Sequence, residues 1–139
     1  MSSPQYLLDT NALSDLIRRP RGPIAERIAS VGEQAICTSI VVAAEFRYGA
    51  AKSRSEELAD CVDRILSAIE VLPLKPPADR HYANIRHHLA QQGTPVGPND
   101  MMIAAHARSL GLAVVTANIR EFSRIEGLKV ENWLLDTKT

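Results

Sequence analysis

Three carboxylates in this chain stand where solvated charge is out of place. Asp9 closes the apolar run Tyr6-Leu7-Leu8, Glu45 interrupts Ile40-Val41-Val42-Ala43-Ala44 just before Phe46, and Asp100 immediately precedes Met101-Met102-Ile103-Ala104-Ala105. A carboxylate in an apolar setting must be paired, protonated or bound to a cation, because its burial alone is too costly. Taken singly, each has an ordinary explanation: a turn for Asp9, an exposed helix face for Glu45, the favourable helix dipole for Asp100. Taken together, they form an oxygen-only donor set, which suits the hard ions Mg²⁺ and Mn²⁺. Such ions make bound water acidic and neutralise charge on a phosphodiester in its transition state. Without a cation the same carboxylates would repel an anionic backbone. The expected chemistry is in-line attack of water on phosphorus and, by analogy with metal nucleases, products with 5′-phosphate and 3′-hydroxyl ends. Asp9 and Asp100 are expected to ligate the ion. Glu45 either ligates it or accepts the nucleophile's proton, and the sequence leaves those two roles open.

The elements that would bring these residues together read as alternating strands and helices, the pattern of an α/β domain. Strands are predicted at Tyr6 to Leu8, Ala35 to Thr38, Val71 to Leu74, Leu112 to Thr116 and Lys129 to Glu131. Asn11 is expected to cap a helix running to about Arg18, and Pro23 to open the next. Ser39 should cap a helix over Ile40 to Ala50. Ser55 to Ile69 and Ala78 to Gln92 read as further helices, and Pro98 or Asn99 opens one that stops near Gly111. A short helix is expected near Glu121. In a parallel α/β sheet, ligands gather beyond the carboxyl ends of the strands. Asp9, the helix after the second strand, the opening of the Asp100 helix, and Thr116 with Asn118 would all meet at that edge.

Length and composition set the frame. The 139 residues fit a single domain spanning 1–139, with 45% hydrophobic and 23% charged residues. No apolar run reaches a membrane span, and the start lacks the features of a secretion signal, so a cytoplasmic protein is expected. Sixteen basic and sixteen acidic residues give a net charge of zero, which is less basic than many nucleic-acid binders. Local clusters offset this: Arg18, Arg19 and Arg21 could steer an RNA backbone, and Arg47, Lys52 and Arg54 form a second basic group. Cys37 and Cys61 lack CxxC spacing and read as packing residues. His81, His87, His88 and His106 show no zinc spacing and read as surface or packing residues.

Five segments resemble a known family. These are Leu8-Asp9-Thr10-Asn11, Ala44-Glu45-Phe46-Arg47-Tyr48-Gly49-Ala50, Gly97-Pro98-Asn99-Asp100-Met101-Met102-Ile103-Ala104-Ala105-His106-Ala107, Val115-Thr116-Ala117-Asn118-Ile119-Arg120-Glu121-Phe122, and Gly127-Leu128-Lys129-Val130-Glu131-Asn132-Trp133. In this order and at these separations they resemble the PIN-domain family, specifically its VapC-type toxins of type II toxin–antitoxin pairs. The resemblance implies a three-layer α/β/α fold with a central parallel sheet. It also implies a ribonuclease that inhibits translation, held inactive by a VapB-like antitoxin. Asp9, Glu45 and Asp100 would be the acidic metal-site residues, Thr10 and Thr116 supporting hydroxyls, and Asn11 a brace for the first loop. Transfer RNA is a plausible substrate at family level, and homodimers are common. Many members have Asp where this chain has Asn118, so Asn118 is the weak member of the catalytic set. Glu121 is a nearby substitute but reads as a helix-surface acid.

Two other readings fit parts of the pattern. A phosphotransfer enzyme with Asp9 as nucleophile lacks the second acid two places on, since Asn11 stands there, and no phosphate-binding glycine loop exists. A non-catalytic binding module on the same scaffold, acting with a partner on DNA or protein, is disfavoured by the retained carboxylates. Apolar stripes on the helices at 24–31 and 55–69 could serve a homodimer contact or simply the core.

Overall fold

The computed structural model describes residues 3–134. Strands β1 (Tyr6–Leu8), β2 (Ile36–Ser39), β3 (Glu70–Leu72), β4 (Ala113–Val115) and β5 (Lys129–Glu131) form one sheet in the order β3-β2-β1-β4-β5. Every adjacent pair is parallel, with Leu7 beside Cys37 on one flank and Val114 on the other. The helices are α1 (Thr10–Arg18), α2 (Pro23–Val31), α3 (Ile40–Ser53), α4 (Glu56–Ala68), α5 (Ala78–Gln92), α6 (Pro98–Leu110) and α7 (Ile119–Phe122). From β1 the chain winds outward through β2 to β3, then crosses back to β4 and β5. Right-handed crossovers therefore place α1–α4 on one face and α5–α7 on the other. This is the expected three-layer α/β/α arrangement.

The sheet is covered on both faces, which explains why its central strands are apolar without alternation. Leu7, Leu8, Ile36, Cys37, Val114 and Val115 are all buried. The stripes at 24–31 and 55–69 serve the same core: Ile24, Val62 and Leu66 are buried, with Ile28, Val31, Leu58 and Ile65 packed against it. Cys37 is likewise a packing residue, its thiol pushed up by burial and then by Glu70. Among the described residues, no helix is long and apolar enough to cross a membrane.

One boundary differs from expectation in a way that matters. The cap of α1 is Asp9, not Asn11. Asp9 leaves β1 with extended backbone (φ −85°, ψ −179°), the conformation a cap requires, and its Oδ1 accepts from the Ala12 amide at 3.0 Å. Asn11 lies inside the first turn, exposed. Ser39 caps α3 as expected, accepting from the Val41 amide at 3.0 Å, and Pro98 occupies the first turn of α6.

Candidate active site

Asp9 emerges at the carboxyl end of β1, the middle strand, where its amide still donates to the Val115 carbonyl at 3.1 Å. The residue is 5% exposed. Burial pushes its carboxyl above the ordinary range. The Thr116 hydroxyl and the Ala12 and Asn11 amides pull it back, and the negative charge of Glu45 adds to the rise. Thr116 is itself buried, and its Oγ1 accepts from the Asn118 amide at 2.9 Å. Helix α1 and the loop after β4 are thus tied to the same carboxylate.

Glu45 lies in the second turn of α3 and is half-buried. Both of its oxygens are held: Thr10 Oγ1 donates to Oε1 at 3.2 Å and Asn99 Nδ2 to Oε2 at 2.9 Å. The supporting role expected of Thr10 is thereby given a partner. Asn99 was not singled out from the sequence; its one available signal is its position directly before Asp100.

Asp100, in the first turn of α6, has its carboxyl pushed up to about 6. Burial is the main cause, followed by the negative charges of Glu121, Glu45 and Asp9, and a hydrogen bond shared with Glu121. Glu121 moves the opposite way, held below the ordinary range by the Gly97 amide and then by Asn118. Gly97 N donates to its Oε1 at 2.9 Å and Asn118 Nδ2 to its Oε2 at 2.6 Å.

Glu121, expected as a helix-surface acid, is partly exposed and also bonded to Gly97 and Asn118. It lies three places after Asn118 on the turn that forms α7, and this spacing turns it back toward the Asn118 amide and Asp100. Asn118 donates to a carboxylate instead of supplying one.

Four carboxylates thus converge in one field at the carboxyl edge of the sheet. Among the described residues, no three His, Cys, Asp or Glu side chains are gathered closely enough to hold an ion as they stand. The oxygens of Glu45 and Glu121 instead rest on neutral donors. The donor chemistry still fits a hard divalent ion: all ligating atoms are oxygens, and Asp100 suffers repulsion that a positive charge would relieve.

The PIN-domain family model matches residues 6–128. The chain belongs to the PIN-domain family. Within it, the chain is similar to the tRNA(fMet)-specific endonuclease VapC of Salmonella typhimurium, with 44% identity over 93% of this chain and 98% of that protein. It is also similar to ribonuclease VapC2 of Haemophilus influenzae, with 39% identity over 94% and 98%. Among solved structures, the DNA-bound VapBC of Salmonella typhimurium superposes with a TM-score of 0.88 at 42% identity, covering 94% of this chain and 98% of that one. VapBC2 of Rickettsia felis, bound to a promoter DNA fragment, gives 0.87 at 33% identity over 92% and 98%.

The arginines after α1 divide in this PIN domain. Arg19 does not stand free for RNA: its Nε donates to Oδ1 of Asp15 at 2.7 Å, and Asp15 is fully buried. Arg18 is 4.0 Å from the same oxygen and its side chain is largely exposed. Arg21 is exposed. Arg47, in the second basic cluster, pairs with Asp63 of α4. Of the histidines, His106 is buried with Nδ1 at 2.8 Å from Ser39 Oγ, and His81 Nδ1 accepts from Arg108.

Proposed function

We propose that this VapC-like PIN domain is a metal-dependent endoribonuclease, the toxin of a type II toxin–antitoxin pair. The observation that carries the reading is the convergence of Asp9, Glu45, Asp100 and Glu121 at the carboxyl edge of the sheet, where the other three carboxylates help push Asp100 up to about 6. A site so charged suits a divalent cation and the phosphodiester that cation would bring. Mg²⁺, or Mn²⁺, would be held by Asp9 and Asp100, with Glu45 and Glu121 completing the acidic ring. When bound it supplies charge neutralisation and an acidified water.

The chain's own residues set the geometry. Asp9 is fixed by the Ala12 amide and the Thr116 hydroxyl. Glu45 is poised to take the proton of the attacking water, held by Thr10 and Asn99. Asn118 keeps Glu121 turned inward. Exposed Arg18 and Arg21 lie at the end of α1, suited to the phosphates flanking the cut. Transfer RNA is the substrate class taken from the Salmonella relative's name, and the VapBC assemblies point to a VapB-like antitoxin as the partner.

The test uses purified protein and a transfer RNA pool. Cleavage should appear with Mg²⁺ or Mn²⁺, vanish with a chelator, and fail in Asp100→Asn. Undiminished cleavage in that variant, or in chelator, overturns the reading.

A further inference from the structure

We infer that Asn99 is a positioning residue for the reaction, acting through Glu45; the inference rests on the reading of Glu45 as an active-site acid. A carboxylate has about four lone-pair sites on its two oxygens. In Glu45, one site on each oxygen is taken by an uncharged donor, Thr10 Oγ1 on Oε1 and Asn99 Nδ2 on Oε2. The two donors grip opposite ends of the group, so it cannot rotate about its last bond without losing one of them. A lone pair on each oxygen stays available. Held by one donor alone, the carboxylate would swing on a flexible stem.

The source of each donor matters. Thr10 comes from α1 and Asn99 from α6, while Glu45 belongs to α3. By the handedness of the crossovers, α6 belongs to the opposite face of the sheet. A second bond links the same pair of helices: His106 Nδ1 meets the Oγ of Ser39, the cap of α3. His106 follows Asn99 by two helical turns, and Ser39 precedes Glu45 by nearly two. The helices are thus pinned twice, in opposite chain order: Asn99 to Glu45 and His106 to Ser39. The lower pin is buried and structural. The upper one is exposed and ends on an active-site acid. A merely structural link has no need to terminate there. Because Asn99 adjoins Asp100, the same turn of α6 that presents one acid also sets the angle of another.

The test compares Asn99→Ala and Asn99→Asp with the parent protein and with Glu45→Gln. Asn99 is exposed, so both variants should fold, and melting temperature checks this. Removing such an outer partner typically costs about 10- to 100-fold in activity or metal affinity. We expect kcat on RNA to fall by that order in Asn99→Ala, with KM nearly unchanged, and Mn²⁺ to bind more weakly by calorimetry. Asn99→Asp keeps the shape but sets a negative charge against Glu45, so kcat should fall further. A purely structural role predicts the reverse for Asp, because an acid in a helix's first turn is stabilising. Either variant retaining parental kcat and Mn²⁺ affinity, while Glu45→Gln is inactive, overturns the positioning role alone. Full activity in Glu45→Gln would instead overturn the reading of Glu45.

Discussion

Asp100 and Glu121 stand as neighbouring carboxyl groups that titrate in opposite directions, Asp100 pushed up to about 6 by burial and by the charge of Glu121, Glu121 held low by the Gly97 amide and Asn118. A carboxyl raised from its ordinary value of about 3.9 binds its proton more tightly in the folded than in the unfolded chain. Its favourable contribution is therefore present below about pH 4 and lost as pH rises through 6. Metal-free protein should melt higher at pH 5 than at pH 7. Asp100→Asn should flatten that difference and raise the melting temperature at pH 7, while abolishing cleavage. Added Mn²⁺ should stabilise the parent at pH 7 much more than the variant. Thermal melts at the two pH values check all three statements, and a variant that melts lower than the parent at pH 7 contradicts them.

Asp9 does two jobs that substitutions can separate. Asn keeps a side-chain oxygen for the Ala12 amide; Ala does not. Both Asp9→Asn and Asp9→Ala should be inactive on RNA. Only Asp9→Ala should also lose the cap, at about 1 kcal/mol. Urea unfolding of both variants measures the difference, and equal stability would deny the capping role.

Glu121 enters the site through its contacts with Gly97, Asn118 and Asp100. Glu121→Ala should reduce turnover by about tenfold or more, the scale of losing a partner that orients a site acid. Asn118→Asp replaces the amide that now donates to Glu121 Oε2 at 2.6 Å by a second charge facing the same carboxylate. Metal-free Asn118→Asp should therefore melt lower than the parent, with the deficit shrinking as Mn²⁺ is added. Parental turnover in Glu121→Ala would return Glu121 to a surface role.

Arg19 and Arg21 should behave differently although they are two places apart. Arg19→Ala leaves the buried Asp15 carboxylate without its main partner, a loss of roughly 1–3 kcal/mol. Arg21→Ala should leave folding intact, weaken RNA binding and reduce its salt dependence by about one phosphate contact. Unfolding curves and filter binding at several salt concentrations tell them apart.

Much of this was legible in the residues. Strand β5 and helix α5 fall where periodicity predicts them, and Ser39 and Pro98 open their helices by ordinary capping chemistry. The three apolar-flanked acids were readable because charge beside a buried run needs a partner. Glu121 was not, since an acid in a polar stretch looks solvated until the turn from Asn118 is known. Asn99 was hidden for a related reason. Its partner lies 54 residues away on another helix, a separation that local pattern cannot express. Arg19 looked like part of a free basic run because nothing in the sequence shows that Asp15 faces inward.

The exit from β1 has no slack. Asp9 and Thr10 are consecutive, yet one side chain turns back to the Ala12 amide of α1 and the other across to Glu45 on α3. Their spacing from Leu8, the last residue in register with Val115, fixes both directions at once. A single residue inserted there would swing Asp9 and Thr10 off their partners together while the hydrophobic layers stayed filled. The survivors of such indels in a library should be folded chains with no cutting ability, which makes this junction a place to separate folding from cleavage genetically.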